Sequence, residues 1–249
     1  MLPDLRIWLN HFEYHADQPR SVPSHISDSL SRSERALIAR PLSSLLAHHS
    51  AASEALLHAA YCFSQQRAAP DVARLVELLV RESGQHARLI AVFMRRHAIT
   101  SRSPHAQAAR AVRPGRGRGR GAALQRQLAQ RLTWQLCNVV CYRALERVTG
   151  NQRLRLLCRM LVAEQLAHIG FTADLLLALR AEQSSVARLA CELRAQGCGL
   201  ITVGRAWRNH RAVLARAGYG LRQFLGAVRL QYIFYMQPLP RSQLDRVAR

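Results

Sequence analysis

Two histidines lie in segments that share one arrangement of acidic residues. His86 follows Glu82 by four positions, and His168 follows Glu164 by the same interval. Residues four apart lie on one face of an α-helix, so each acid and its histidine can point in the same direction. Imidazole nitrogens and carboxylate oxygens bind iron or zinc, and they also form hydrogen bonds with each other. The residues alone leave both interpretations open.

The segments around these residues have the composition of long α-helices. Ala, Leu and Arg dominate the 249-residue chain, and 49% of its residues are hydrophobic. All three residue types favour helix. Runs of β-branched residues are short, and no stretch alternates apolar and polar residues as a half-buried strand does. The sequence therefore predicts an all-α fold.

The predicted elements form two helix pairs separated by a long break. A short helix is predicted near residues 5–12, a helical pattern starts at Ser33 and Glu34, and Pro41 fits the first turn of the next helix. We predict a single domain over 1–249, with helix A at 41–66, helix B at 70–97, helix C at 123–149, helix D at 152–179 and a C-terminal helical appendage at 184–249. Long helices paired by short turns, with one long middle connection, indicate a helical bundle.

The break at 98–122 is an Arg/Gly-rich crossover. It contains two prolines and an alternation of arginine and glycine that places Arg116, Arg118 and Arg120 two residues apart. One interpretation is an anion-binding arm that contacts nucleic acid through these three arginines. The tract has no interleaved aromatic residues, so we favour a flexible connection.

The overall charge is strongly basic. The formal net charge is +21, and all 36 basic residues are arginine, because the chain contains no lysine. Such complete avoidance of lysine is typical of genome-wide codon bias, although a functional anionic partner remains an alternative. In either case the charge predicts adhesion to polyanions at low salt.

The cysteines and the N-terminal residues indicate a cytoplasmic protein with reduced thiols. None of the six cysteines forms a Cys-x-x-Cys pair, and the first 13 residues lack an apolar signal core. No uncharged apolar run reaches the length of about 18 residues that a membrane-spanning helix requires. We therefore expect no transmembrane segment. Homo-oligomerisation stays open.

Several segments together resemble a known superfamily. The half-sites are Leu78–Leu89, which reads LLVRESGQHARL, and 163–168, which reads AEQLAH; Tyr142–Leu145 lies between them. Weaker similarity covers residues 8–12, 50–55 and 210–216. These segments resemble the ferritin-like, di-iron carboxylate superfamily, and more closely the bacterial ferritin-like domain-containing proteins, a mostly uncharacterised group.

The resemblance implies a ferritin-like four-helix bundle with a long crossover between helices B and C, followed by extra C-terminal helices. In that superfamily two helices each supply one glutamate, and the other two each supply Glu-x-x-His. The carboxylates bridge two iron ions and support oxygen activation or ferroxidase chemistry.

This sequence departs from the implied ligand pattern at every carboxylate. The four positions where the resemblance implies glutamate hold Ala51, Ser83, Gln135 and Gln165, whereas both histidines remain. Alanine, serine and glutamine supply no negative charge to balance iron. The resemblance therefore implies a degenerate metal site.

The two remaining acids match a different role. In the superfamily, the acid directly before the ligand glutamate often holds the histidine of the opposite half-site. Glu82 and Glu164 occupy those positions, so we predict that Glu82 approaches His168 and that Glu164 approaches His86, inside the bundle. A histidinium in each pair could compensate the buried carboxylate.

Two functions follow as hypotheses. The first is a ferritin-like protein without bound cofactor that serves as a non-catalytic binding or structural module. The alternative is an oxidoreductase or metal-handling protein with an atypical iron or zinc site at Glu82, His86, Glu164 and His168. The sequence names neither a substrate nor a partner.

Overall fold

The computed structural model describes residues 5–16, 18, 28–51, 53–100 and 121–237, and every regular element in these ranges is an α-helix. The helices are α1 (Arg6–Ala16), α2 (Arg32–Ala51), α3 (Ser53–Arg67), α4 (Pro70–Arg96), α5 (Ala122–Val148), α6 (Gln152–Ala181), α7 (Ser185–Arg216) and α8 (Leu221–Met236). The all-α prediction is confirmed.

The helices pack as a bundle around one apolar core. α5 lies against α6 and α7, while α4 lies against α1, α2 and α3. α3 also packs on α5, and α4 also packs on α6, so the two groups share the interior. α8 covers α5 and α6 from outside. The interior between α2, α4, α5 and α6 is therefore enclosed by long helices on all sides.

Local signals explain where the helices begin. α4 starts with Pro70, whose missing N–H costs nothing in a first turn. α6 starts after Asn151, whose side chain accepts a hydrogen bond of 2.8 Å from the backbone N–H of Leu154. α4, α5 and α6 each lie within two residues of the range predicted from sequence, and the described part of the predicted C-terminal appendage forms α7 and α8.

The predicted start of helix A is wrong. α2 begins at Arg32, and Pro41 is buried in its middle. A capping box sets this start: the Ser31 hydroxyl accepts from Glu34 N–H at 3.1 Å, and the Glu34 carboxylate accepts from Ser31 N–H at 3.2 Å. The cap alone does not offset an interior proline, and the burial of Ile38, Leu42 and Leu45 on both sides of Pro41 stabilises the helix across it.

The structure differs from the predicted single helix A, and it does not describe most of the predicted crossover. The predicted helix A corresponds to two helices, since α2 ends at Ala51 and α3 begins at Ser53. Residues 101–120 lie outside the described part, and with them Arg116, Arg118 and Arg120. The flexible crossover and the anion-binding arm therefore stay predictions.

One described helix, α6, is long and apolar enough to cross a membrane by length and composition. Its most apolar window is 56% buried inside the bundle. Core helices commonly pass the same test, because packing against other helices requires the same apolar surface. The helix is thus weak evidence for a membrane span.

Glu34 should contribute more to stability than an ordinary capping residue. Besides the capping box, its carboxylate accepts from the backbone N–H of Gly150 at 2.7 Å and so joins α2 to the α5–α6 turn. We expect Ser31→Ala to lower the free energy of unfolding by about 1 kcal/mol and Glu34→Ala by about 1–2 kcal/mol. Urea denaturation measures both, with the exposed Arg35→Ala as control. Equal losses for Glu34→Ala and Arg35→Ala would contradict the linking role.

Candidate functional site

The two histidines lie at the centre of the bundle. His86 on α4 and His168 on α6 are both 0% exposed. Their rings are nearly parallel, with centroids 5.2 Å apart and planes inclined by 21°. Each histidine lies on the apolar side of its helix. Because that side packs against the core, the histidine is buried with it. The predicted burial is confirmed.

Each histidine contacts the glutamate of the opposite helix. His168 Nε2 lies 2.5 Å from Glu82 Oε2, and His86 Nε2 contacts Glu164 Oε2. A carboxylate can only accept hydrogen bonds, so each Nε2 atom carries the proton and donates it. Glu82 is almost fully buried, whereas Glu164 is partly accessible. This is the crossed pairing that the resemblance to the ferritin-like superfamily implied.

Gln165 lies between the two imidazoles. Its Nε2 atom is 3.3 Å from His86 Nδ1 and 3.4 Å from His168 Nδ1. The amide nitrogen of Gln165 can only donate, so each Nδ1 atom is the acceptor in its contact with that side chain. An amide group has two N–H donors, which fits two acceptors. One side chain therefore occupies the point on which both Nδ1 atoms converge.

A buried arginine enters the interior from α5. Arg131 is largely buried, and its guanidinium donates to the Ser83 hydroxyl, which in turn donates to the Leu79 carbonyl at 2.9 Å. Burial lowers the pKa of Arg131 to about 10, so the group stays positively charged at neutral pH. A cation thus contacts one of the positions where the resemblance implies a metal-binding carboxylate.

A tyrosine–histidine pair extends this polar interior to α2. His49 Nε2 and the Tyr142 hydroxyl are 2.8 Å apart, and the His49 ring stands perpendicular to His86 with centroids 5.2 Å apart. Burial, followed by the charges on His86 and Arg131, lowers the pKa of His49. Burial also raises the pKa of Tyr142. The pair is therefore a neutral imidazole accepting from a neutral phenol.

The four degenerate ligand positions differ in burial and in hydrogen bonding. Ser83 and Gln165 take part in the hydrogen bonds described above. Gln135 is buried on α5, and neither atom of its amide has a hydrogen-bond partner among the described residues. The side chain of Ala51, the last residue of α2, lies outside the described part.

His168 is neutral rather than positively charged. Burial lowers its pKa to about 4, and the hydrogen bond with Glu82 only partly opposes this effect. The expectation that a histidinium compensates Glu82 is therefore wrong for this pair. The reason is that full burial removes the hydration of the imidazolium, and nearby His86 and Arg131 disfavour a further positive charge.

The arrangement does not fit a bound divalent metal ion. Among the described residues, no group of three or more histidine, cysteine, aspartate or glutamate side chains is placed to hold one. Glu82 and Glu164 contact the outer Nε2 atoms, while the inner Nδ1 atoms face the N–H groups of Gln165. Two neutral nitrogens without an anionic ligand are a poor site for iron.

A basic cleft lies on the outer surface of α5 and α6. Its volume is about 430 Å³, and it is lined by Arg143, Glu146, Arg147, Arg155 and Arg159. Arg159 forms an ion pair with Glu146 at 2.5 Å, which leaves the lining predominantly positive. The predicted adhesion to polyanions could therefore involve this cleft and the net charge as well as the Arg/Gly-rich tract.

Sequence reasoning missed Arg131 and the bridging role of Gln165. The available signal for Arg131 was its place between Leu128, Leu132 and Gln135, on the inward stripe of helix C. For Gln165 the signal was a side chain with two N–H donors at a position where the resemblance implies a metal ligand.

No protein-family model, curated protein or solved structure matches this chain. The ferritin-like resemblance therefore rests on the motif residues themselves.

The crossed pairs predict a graded response to substitution of Glu82. Glu82→Leu removes the acceptor for His168 Nε2–H and leaves that donor buried, so we expect a loss of about 2–4 kcal/mol in the free energy of unfolding. Glu82→Gln keeps an acceptor oxygen and should cost about half as much. Denaturant unfolding with the exposed Arg88→Leu as control measures the difference. Equal losses for the two Glu82 variants would show that the hydrogen bond is unimportant.

Stability should fall in mild acid. The pKa of His168 is lowered to about 4 and that of His210, also buried, to about 3, both from 6.5. Below about pH 6.5 the unfolded chain therefore binds protons that the folded chain does not, and each such proton lowers the unfolding free energy by about 1.4 kcal/mol per pH unit.

We expect this loss to grow from pH 6.5 down to about 4, the lowered pKa of His168. Denaturant titrations at successive pH values measure it, and His210→Gln should reduce the slope by about one proton. An unfolding midpoint that stays constant across this interval would contradict neutral burial of the histidines.

Proposed function

We propose that the chain is a ferritin-like four-helix bundle whose di-iron site has been replaced by a permanent hydrogen-bonded core, and that it acts as a non-catalytic binding or structural module. In this proposal α2 and α3 correspond to helix A, α4 to helix B, α5 to helix C and α6 to helix D. The single observation that carries it is the Gln165 amide, which donates to both Nδ1 atoms.

The positions of the acidic residues support the ferritin-like assignment. Glu82 and Glu164 each precede a degenerate ligand position and each contact the histidine across the bundle. A pair of helix–helix contacts formed by chance has no reason to repeat the same spacing on both helices. Retention of the outer hydrogen bonds after loss of the ligands is what the proposal requires.

Charge compensation supports the loss of metal binding. In a di-iron site the cations balance several carboxylates, so removing both ions leaves excess negative charge. Here the four ligand positions are uncharged, and the Arg131 guanidinium contributes one positive charge to the same interior. Arg131 would also repel a divalent cation from this space.

The network has a structural consequence that suits a binding module. Its side chains come from α2, α4, α5 and α6, so it holds the bundle helices in one register. Buried polar groups specify register because a shifted helix would leave them unsatisfied. A function of this kind depends on the outer surface of a rigid bundle.

The alternative remains an oxidoreductase or metal-handling protein with iron or zinc at Glu82, His86, Glu164 and His168. The convergence of two Nδ1 atoms on one point favours it. It requires Gln165 to leave that point and at least one glutamate to leave its Nε2 partner. The metal content of the purified protein separates the alternatives.

We expect the protein, purified without chelator and then incubated with Fe(II) under anaerobic conditions, to retain less than one equivalent of iron. Restoring the implied ligands should create affinity: the variant Ala51→Glu, Ser83→Glu, Gln135→Glu and Gln165→Glu, combined with Arg131→Gln, should retain iron. Removal of Arg131 is needed because its charge would pair with a glutamate at position 83.

The matched control carries glutamine instead of glutamate at the same four positions together with Arg131→Gln. It keeps the volume of each side chain but lacks the charges that iron requires, so it should bind no iron. Two iron ions in the unmodified protein, with an oxygen-dependent absorbance change, would overturn the proposal.

A further inference from the structure

The side of α7 that faces away from the bundle carries a long exposed apolar stripe. The buried residues of this helix, including Thr202, Val203, Ala206 and His210, lie on one side. On the opposite side, Val186, Leu193 and Leu200 are 80%, 61% and 71% exposed. Leu189 and Ile201 extend the same stripe. Exposed apolar surface of this extent marks an interaction site.

The stripe consists of two columns of residues with opposite size. Large side chains stand at 186, 193 and 200, and small residues stand at 190, 197 and 204, each spaced by seven. Seven residues are close to two helical turns, so each column runs along the helix. The small residues are Ala190, Gly197 and Gly204, all exposed.

Packing among the described residues does not explain the two glycines. A Cβ atom added at Gly197 or Gly204 would meet none of the described atoms within 4 Å. Both lie inside α7, where glycine costs about 1 kcal/mol relative to alanine. Glycine on a helix face permits the close approach of another helix.

We propose that this stripe binds a second copy of the chain, with α7 packed antiparallel on α7 about a two-fold axis at the level of residue 195. In this arrangement Val186 lies opposite Gly204 of the second copy, Leu193 opposite Gly197, and Leu200 opposite Ala190. Every large residue of one column meets a small residue of the other. Leu189 and Ile201 flank the two columns on opposite edges of the contact.

The order of the residues selects the second copy and the antiparallel direction. A parallel pair would place Leu193 on Leu193 and Gly197 on Gly197, which alternates crowding with empty space. A surface that binds an unrelated partner has no need to be complementary to itself when reversed. Isologous two-fold contacts require this self-complementarity.

Charge sets the salt dependence of the proposed dimer. Each chain has a net charge of +21, so two copies repel each other. Salt screens this repulsion and also strengthens apolar association, so added sodium chloride should tighten the dimer. Adhesion to polyanions or to anionic lipid has the opposite dependence, since salt weakens it. This inference is independent of the fate of the metal site.

Sedimentation equilibrium over a range of concentrations tests the proposal. We expect reversible dimers, with a dissociation constant that Gly197→Leu raises at least about tenfold because the new side chain collides with Leu193 of the second copy. The fold should survive, since position 197 is open in the single chain and leucine favours helix. Thermal melting monitored by circular dichroism checks this, and Gly226→Leu, an equally open position on α8, is the control.

A size exchange makes the test decisive. The double variant Leu193→Gly with Gly197→Leu again places a large residue opposite a small one, so it should restore dimers that Gly197→Leu alone abolishes. A protein that is monomeric at all concentrations and salt conditions overturns the proposal. So do dimers that are insensitive to Gly197→Leu, and so does salt-sensitive binding of α7 to anionic vesicles by a chain that stays monomeric in solution.

Discussion

The hydrogen bonds of Gln165 with two buried imidazoles are the constraint on which the interior depends. A fully buried imidazole presents one donor and one acceptor, and leaving either unpaired costs about 1–3 kcal/mol. Here the outer nitrogens donate to Glu164 and Glu82, and the inner nitrogens accept from one amide. Because both histidines share that amide, α4 and α6 can satisfy the four nitrogens only at one relative register.

The remaining polar groups follow from this arrangement. The Glu82 carboxylate, held by the neutral His168, leaves negative charge inside the bundle, and Arg131 provides a positive charge in the same interior. Arg131 in turn requires an acceptor, which the Ser83 hydroxyl supplies. The interior thus contains three neighbouring hydrogen-bonded groups within an apolar shell: the histidine–glutamate–glutamine group, Arg131 with Ser83, and His49 with Tyr142. Groups of this kind specify the packing of the helices more strongly than apolar contacts do, because their partners have fixed directions.

The core and the outer face of α7 depend on different kinds of interaction. The core relies on directional hydrogen bonds, whereas the outer face of α7 relies on side-chain size alone. Its large residues are mostly exposed, and its two glycines face open space among the described residues. A rigid bundle that presents a helix with this pattern is suited to association.

The sequence by itself determined the helical class, most helix boundaries and the crossed histidine–glutamate pairs. The helical class and the boundaries depend on helical periodicity and on local caps such as Asn151, which act within a few residues. The crossed pairs were implied by the resemblance of the motif residues to a known superfamily. Only the tertiary structure decided that Gln165 joins both histidines, that His168 is neutral, and that Arg131 reaches Ser83. These features depend on distances between helices and on burial, which no local pattern encodes. The predicted start of α2 was wrong for a related reason, because the packing of Ile38 and Leu42 in the core and the contact of Glu34 with the distant Gly150 stabilise the helix across Pro41.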